Sequence, residues 1–210
     1  MRDRLRAAAA PVRASLGTLV AQLFFIAAGV FLGNQADDWT QAREHRQAAR
    51  QTVANFRAEL ARNRASLAGQ APYHARLARG FAELARAPGP AAASIGAVFD
   101  RVGWQGAGQV AFRHTAWDLA LANQSLGYLD QGLAFAVADV YLQQQKYTAY
   151  EEVMQRAVFT PASFRPEATP GVTFILMAYY GDAAGSNNPD LTRLYDAVLP
   201  RLDSAAARLR

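Results

Sequence analysis

The chain has 210 residues and no cysteine, so disulfides, thiolate metal sites and cysteine nucleophiles are excluded. A domain of this size does not need disulfides in an oxidising compartment, so the absence does not say where the protein resides. Lys146 is the sole lysine, and arginine carries nearly all of the positive charge. The three histidines, His45, His74 and His114, lie far apart and none stands at metal-ligand spacing from another, which predicts structural or surface roles. No nucleophile elbow is present. Gly103, Gly106 and Gly108 are followed by no Lys-Ser/Thr and preceded by no strand pattern, which argues against a phosphate-cradling loop. Glu151 and Glu152 are adjacent, about 100° apart on a helix, so they cannot act as a paired acid and base and read as a solvated face. No catalytic residue, cofactor-binding residue or metal ligand is assigned, and the chain reads as a non-enzyme.

What is present is a long uncharged stretch. Residues 14–36 contain no charged side chain, and these 23 residues span about 34 Å as a helix against a hydrocarbon core of about 30 Å. Arg2, Arg4, Arg6 and Arg13 precede it. Only three basic residues, Arg43, Arg46 and Arg50, fall in the first stretch beyond, so the bias favours a cytoplasmic N-terminus. The expected organisation is a basic cytoplasmic tail at 1–14, a transmembrane helix at 15–36 and one helical extramembrane domain at 37–210. No clean small-x-small cleavage site precedes the charged stretch, so the anchor is expected to be retained. The expected location is a bacterial cytoplasmic membrane, with the bulk of the chain in the periplasm.

The net charge of +5 is concentrated near the anchor: residues 1–36 carry +3, residues 37–87 carry +4 and residues 88–210 carry −2. The arginines alternate with acids along a helical pattern and no nucleic-acid-binding motif accompanies them, so nucleic acid is not an expected partner. The lipid bilayer is. Gly29 and Gly33 form a G-x-x-x-G pair that lets two membrane helices approach closely, the partner being a second copy or another membrane protein.

At the end of the uncharged run stand Gln35, Asp37, Asp38 and Trp39. The acids mark the exit from hydrocarbon and Trp39 suits the interfacial belt; the sharper reading is a docking site for a membrane protein at that depth. This junction, together with Glu59, Leu60 and Asn63, resembles the signature of a family of bacterial single-pass membrane proteins whose function is not known. In that family a transmembrane helix ends in Gln-x-(Asp/Asn)-(Asp/Asn)-Trp and runs into a charged helix ending in a Glu-Leu-x-x-Asn-like stretch. A looser similarity covers Thr115–Leu119 and Gly127–Leu129. The resemblance implies a membrane location and a helical fold, and it carries no functional residue.

From Trp39 onward, Ala42, Arg46, Ala49, Val53, Phe56, Leu60, Asn63 and Leu67 recur at alternating spacings of three and four, a seam that predicts packing against the chain's own later helices. Gly69 and Pro72 predict a break, with Tyr73, Leu77, Phe81 and Leu84 on a second, returning helix ended by Pro88-Gly89-Pro90. Further helices are predicted at about 94–102, from a cap at Thr115, at about 130–158 with Leu133, Val137, Val140, Tyr141, Tyr147 and Val153 facing the core, and from an Asn188-Pro189 start with a kink at Pro200. The nine apolar residues at 172–180 fit a buried strand or a helix, and the helical surroundings favour helix. The fold class is therefore all-α: a transmembrane helix continuing into a long amphipathic helix that packs in an extramembrane bundle. The function this predicts is a membrane-anchored interaction or structural module. The alternative is a ligand-binding or sensory module coupled to a separate membrane partner, with the aromatic residues Trp117, Tyr128, Tyr141, Tyr147, Tyr150, Tyr179 and Tyr180 supplying a pocket.

Overall fold

A computed structural model describes the backbone of residues 2–86 and 94–210, and the side chains of Phe25, residues 39–86 and residues 94–210. All regular structure among the described residues is helical: α1 (Arg2–Arg86), α2 (Ile95–Val102), α3 (Thr115–Ala122), α4 (Gln131–Val158), α5 (Thr169–Asp182) and α6 (Asn188–Arg208). The chain divides into two compact units, Met1–Gln47 and Ala48–Arg210. The predicted anchor at 15–36 lies at helical positions, but its side chains, Phe25 excepted, fall outside the described residues. Among the described residues no helix is long and apolar enough to cross a membrane. The Pro88-Gly89-Pro90 stop also lies outside them; α1 ends at Arg86.

The seam on α1 is buried from Ala49 to Leu67, while Ala42 and Arg46 are exposed. It packs on the chain's own α3, α4 and α6 in one core that includes Phe56, Leu60, Ala120, Val137, Tyr147, Tyr195 and Leu202. A second core joins Leu77 and Phe81 to α2, the C-terminal part of α4 and α5 through Val98, Met154, Leu176 and Tyr180.

The predicted break at Gly69 and Pro72 does not occur. Proline removes one hydrogen bond, leaving the Ala68 carbonyl without its usual intrahelical donor, but Ala68 and Pro72 are both exposed and water can reach that carbonyl. The buried positions Asn63, Leu67, His74, Leu77 and Phe81 keep their phase across the proline, so burial on both sides holds the helix together. The expected antiparallel return is therefore replaced by continuation.

A second correction concerns Asn188. It does not cap a helix start: α5 passes into α6 through a π-helical turn at Ala183–Asn187, with helical dihedrals throughout. The Asn188 N–H reaches back five residues to the Ala183 carbonyl. Pro189 follows, where a proline lacks the donor that a regular α-helix would require, and the wider turn accommodates it. Downstream, α6 continues through Pro200 to Arg208.

Two corrections remain on the helix faces. Val153 is 56% exposed, because the buried row on α4 runs Tyr147, Glu151, Met154 and Val158. Thr115 is the first residue of α3 rather than its cap, and His114 at the capping position makes no side-chain capping bond. The helix at 94–102 and the long helix after Asp130 agree with expectation, with Ser94 accepting from Ala97 N–H and Asp130 from Leu133 N–H.

Candidate functional site

Between α2 and α3 the chain crosses the bundle as an irregular connector, and buried polar side chains hold its backbone. Tyr73 donates to the Gly106 carbonyl at 2.6 Å and accepts from Gln105 N–H. Tyr180 donates to the Ala107 carbonyl at 2.9 Å. His74 meets the Gly108 carbonyl at 2.7 Å through Nε2, Glu151 accepts Val110 N–H at 3.2 Å, and Asn63 both donates to the Arg113 carbonyl and accepts from Arg113 N–H. Glu59 then accepts Ala116 N–H through both carboxylate oxygens at 3.1 Å, so α1 supplies the cap that α3 lacks locally. Gly108 is required where it stands: its φ is +64°, and a Cβ there would lie 2.5 Å from the Tyr73 ring.

This network explains the buried ionisable groups. Glu151, expected on a solvated face, is 2% exposed and also accepts from Tyr179 O–H at 3.0 Å. Burial raises its pKa to about 7, opposed by the Val110 and Tyr179 hydrogen bonds. Its neighbour Glu152 is exposed. His74 is fully buried. With Nε2–H donated to Gly108, its Nδ1 is an acceptor for the Asn188 amide at 3.3 Å, since Tyr147 gives its own proton to Asn188 Oδ1 at 2.8 Å. Burial lowers the His74 pKa below its usual value, while the Gly108 and Asn188 bonds oppose the shift. Burial also pushes the Tyr147 and Tyr179 hydroxyls up, with the Glu151 charge adding to the effect. These tyrosines therefore serve as hydrogen-bond donors. Each of these groups is satisfied by backbone or by a neighbour, an arrangement suited to fixing the connector.

An open concavity adjoins the C-terminal end of the connector, at Phe112 and His114. A groove of about 820 Å³ runs between α3 and α4. Phe112, Trp117 and Tyr141 form its aromatic floor, with Trp117 and Tyr141 ring centroids 5.3 Å apart. Its α4 wall mixes the apolar Ala138, Leu142 and Ala149 with the polar Gln144, Gln145 and Thr148. Its charged groups are Asp118, Asp139 and Glu152, with His114, and no lysine or arginine lines it. His114 Nδ1 is 2.5 Å from Asp118 Oδ2 on successive turns of α3, and Glu152 has Arg156 at 3.6 Å; both pairs are exposed.

Of the residues singled out from sequence, Trp39 is exposed, with the Arg43 guanidinium 5.8 Å from its ring centroid. The side chains of Gln35, Asp37, Asp38, Gly29 and Gly33 fall outside the described residues. The aromatic residues do not converge on one pocket: Trp117 and Tyr141 reach the groove, Tyr147, Tyr179 and Tyr180 belong to the buried network, and Tyr128 is exposed. Sequence reading missed Glu59, Asn63 and Glu151 as holders of the connector. Asn63 was visible as a polar residue in an apolar seam, and Glu151 lies one heptad before Val158 in the buried row of α4. His45 and His114 are exposed, as surface histidines are expected to be. Among the described residues no group of His, Asp and Glu is placed to hold a metal. Compared with protein-family models, with curated proteins and with solved structures, the chain shows no match.

Proposed function

We propose that the protein is a membrane-anchored, non-enzymatic interaction module whose helical bundle presents the α3–α4 groove to a partner protein. The observation that carries this reading is the contrast between the two polar regions. The buried histidine and glutamates are spent on holding the connector, whereas the open groove offers an aromatic floor and carboxylates without a nucleophile beside a base. The uncharged stretch at 14–36, preceded by four arginines, supports anchoring in a bacterial cytoplasmic membrane with the N-terminus inside and the bundle in the periplasm. The resemblance of Gln35, Asp37, Asp38 and Trp39 to the junction of bacterial single-pass proteins supports the same placement, and Gly29 with Gly33 offers the anchor a packing face.

A second reading, a ligand-binding or sensory module coupled to a separate membrane partner, draws on the volume of the groove, which falls within the size range of small-molecule sites. Mild crosslinking in intact cells, detergent purification and mass spectrometry separate the two. A stoichiometric membrane protein held by the bundle is the expected result. Recovery of uncrosslinked protein carrying a tightly held small molecule would replace the first reading with the second.

A further inference from the structure

We infer that the α3–α4 groove receives an amphipathic, basic helix of the partner protein. The inference rests on the interaction-module reading and specifies the chemistry of the partner.

Three features select this occupant. The first is length: the α4 wall runs from Ala138 to Glu152, about 21 Å of helix, or four turns. An occupant of that length laid along α4 meets a row at Ala138, Leu142, Gln145 and Ala149, at spacings of four, three and four, apolar except at Gln145, the periodicity of a helix seated on a helix. The second is backbone chemistry. The α4 wall has its amide groups paired within the helix, the Ala116 N–H at the start of α3 is taken by Glu59, and neither helix presents a sheet edge, so an extended peptide would find no ladder along them. A helix brings its own backbone bonds satisfied.

The third feature is charge. Asp118, Asp139 and Glu152 line the groove and no lysine or arginine does. Asp139 has no ion pair among the described residues, while Asp118 is shared with His114 and Glu152 with Arg156 through exposed contacts that contribute little. Lysine or arginine flanking the apolar face of the incoming helix would therefore find Asp139 open and the other two exchangeable. An acidic helix, or the anionic headgroup of a lipid, would meet repulsion from all three. Leu142 is 49% exposed and Phe135, one heptad earlier on α4, is 63% exposed, so the row continues beyond the groove and lengthens the face available to the partner.

The test uses the full chain in detergent micelles and a fluorescently labelled 18-residue helical peptide of leucine, alanine and lysine, with the lysines flanking a leucine face. Fluorescence anisotropy is compared with that of a peptide carrying glutamate for each lysine, and with one of the same composition whose order destroys the apolar face. Binding of the lysine peptide is expected to exceed both controls and to weaken about tenfold or more in Asp139→Lys and in Leu142→Ser, the order set by losing one complementary charge or one apolar anchor. Circular dichroism melting confirms that both variants, which alter exposed positions, stay folded. Equal binding of the lysine and glutamate peptides, equal binding of the rearranged peptide, or binding unchanged by the two variants would overturn the inference. So would crosslinks from Leu142 that map to a second copy of this chain.

Failure of the parent reading is read separately. If a photoreactive residue at Leu142 captures a partner protein in cells through an acidic or extended segment, the interaction module stands and the basic-helix assignment falls. Capture of no protein at that position removes both.

Discussion

At the residue scale, the buried polar side chains fasten a connector. Gly108 is the clearest case, since its left-handed backbone and the Tyr73 ring beside it leave no room for a Cβ. Gly108→Ala is expected to cost about 1–3 kcal/mol, seen as a lower Tm with native helicity retained. Glu151 supplies a pH test. Its folded pKa of about 7 lies above the usual 4.5, so between those values the folded chain keeps a proton that the unfolded chain has released. The contribution is full below about pH 4.5 and is lost as the pH rises through 7. Glu151→Gln keeps an acceptor for Val110 and Tyr179 and removes the titration. The variant is expected to match the parent near pH 4.5 and to exceed it by about 3 kcal/mol at pH 8. Denaturant unfolding across that range checks the crossover, and a constant difference at all pH values would contradict it. His74 acts in the opposite sense: its lowered pKa gives stability that is present above the usual value of 6.5 and lost as the pH falls below it.

At the scale of elements, α3 depends on a residue far away in sequence. Glu59 holds Ala116 N–H and accepts from Tyr141 O–H at 2.7 Å, so Glu59→Ala leaves the N-terminus of an eight-residue helix without its acceptor. The expected cost is about 1–3 kcal/mol, and hydrogen exchange should quicken in residues 115–122 more than in α6. How much of this was legible depends on range. The seam from Ala49 to Leu67 and the long helix over about 130–158 follow from local periodicity, the helix over 172–180 follows from its helical surroundings, and the structure has all three. Proline was over-read. Pro72 and the Asn188-Pro189 pair look like boundaries in isolation, but exposure of the freed carbonyl at one and a π-helical turn at the other let the helices continue. The unbroken phase from Leu67 to His74, Leu77 and Phe81 was the available signal against a break. The connector's anchors were not legible, because Glu59, Asn63 and Glu151 act on backbone 41 to 57 residues away.

At the scale of the whole molecule, two cores share α1 and α4, and the groove lies at the edge of the first, which supplies Tyr141 to its floor. The groove was invisible in sequence, because Phe112, Trp117, Asp139 and Glu152 belong to three segments that only the fold brings together. Its aromatic members appeared in the sequence as a general supply of rings without a common destination. The proposed anchor predicts that the protein sediments with membranes and resists extraction by alkaline carbonate, whereas release into the soluble fraction would remove the tether from the account. The most direct measurement of the central claim is site-specific photo-crosslinking in intact cells, with a photoreactive amino acid placed at Leu142 in the groove and, for comparison, at the exposed Phe174 on α5. The account predicts a discrete adduct with one membrane protein from Leu142 and none from Phe174. Absence of an adduct at Leu142, or the same adducts from both positions, would contradict it.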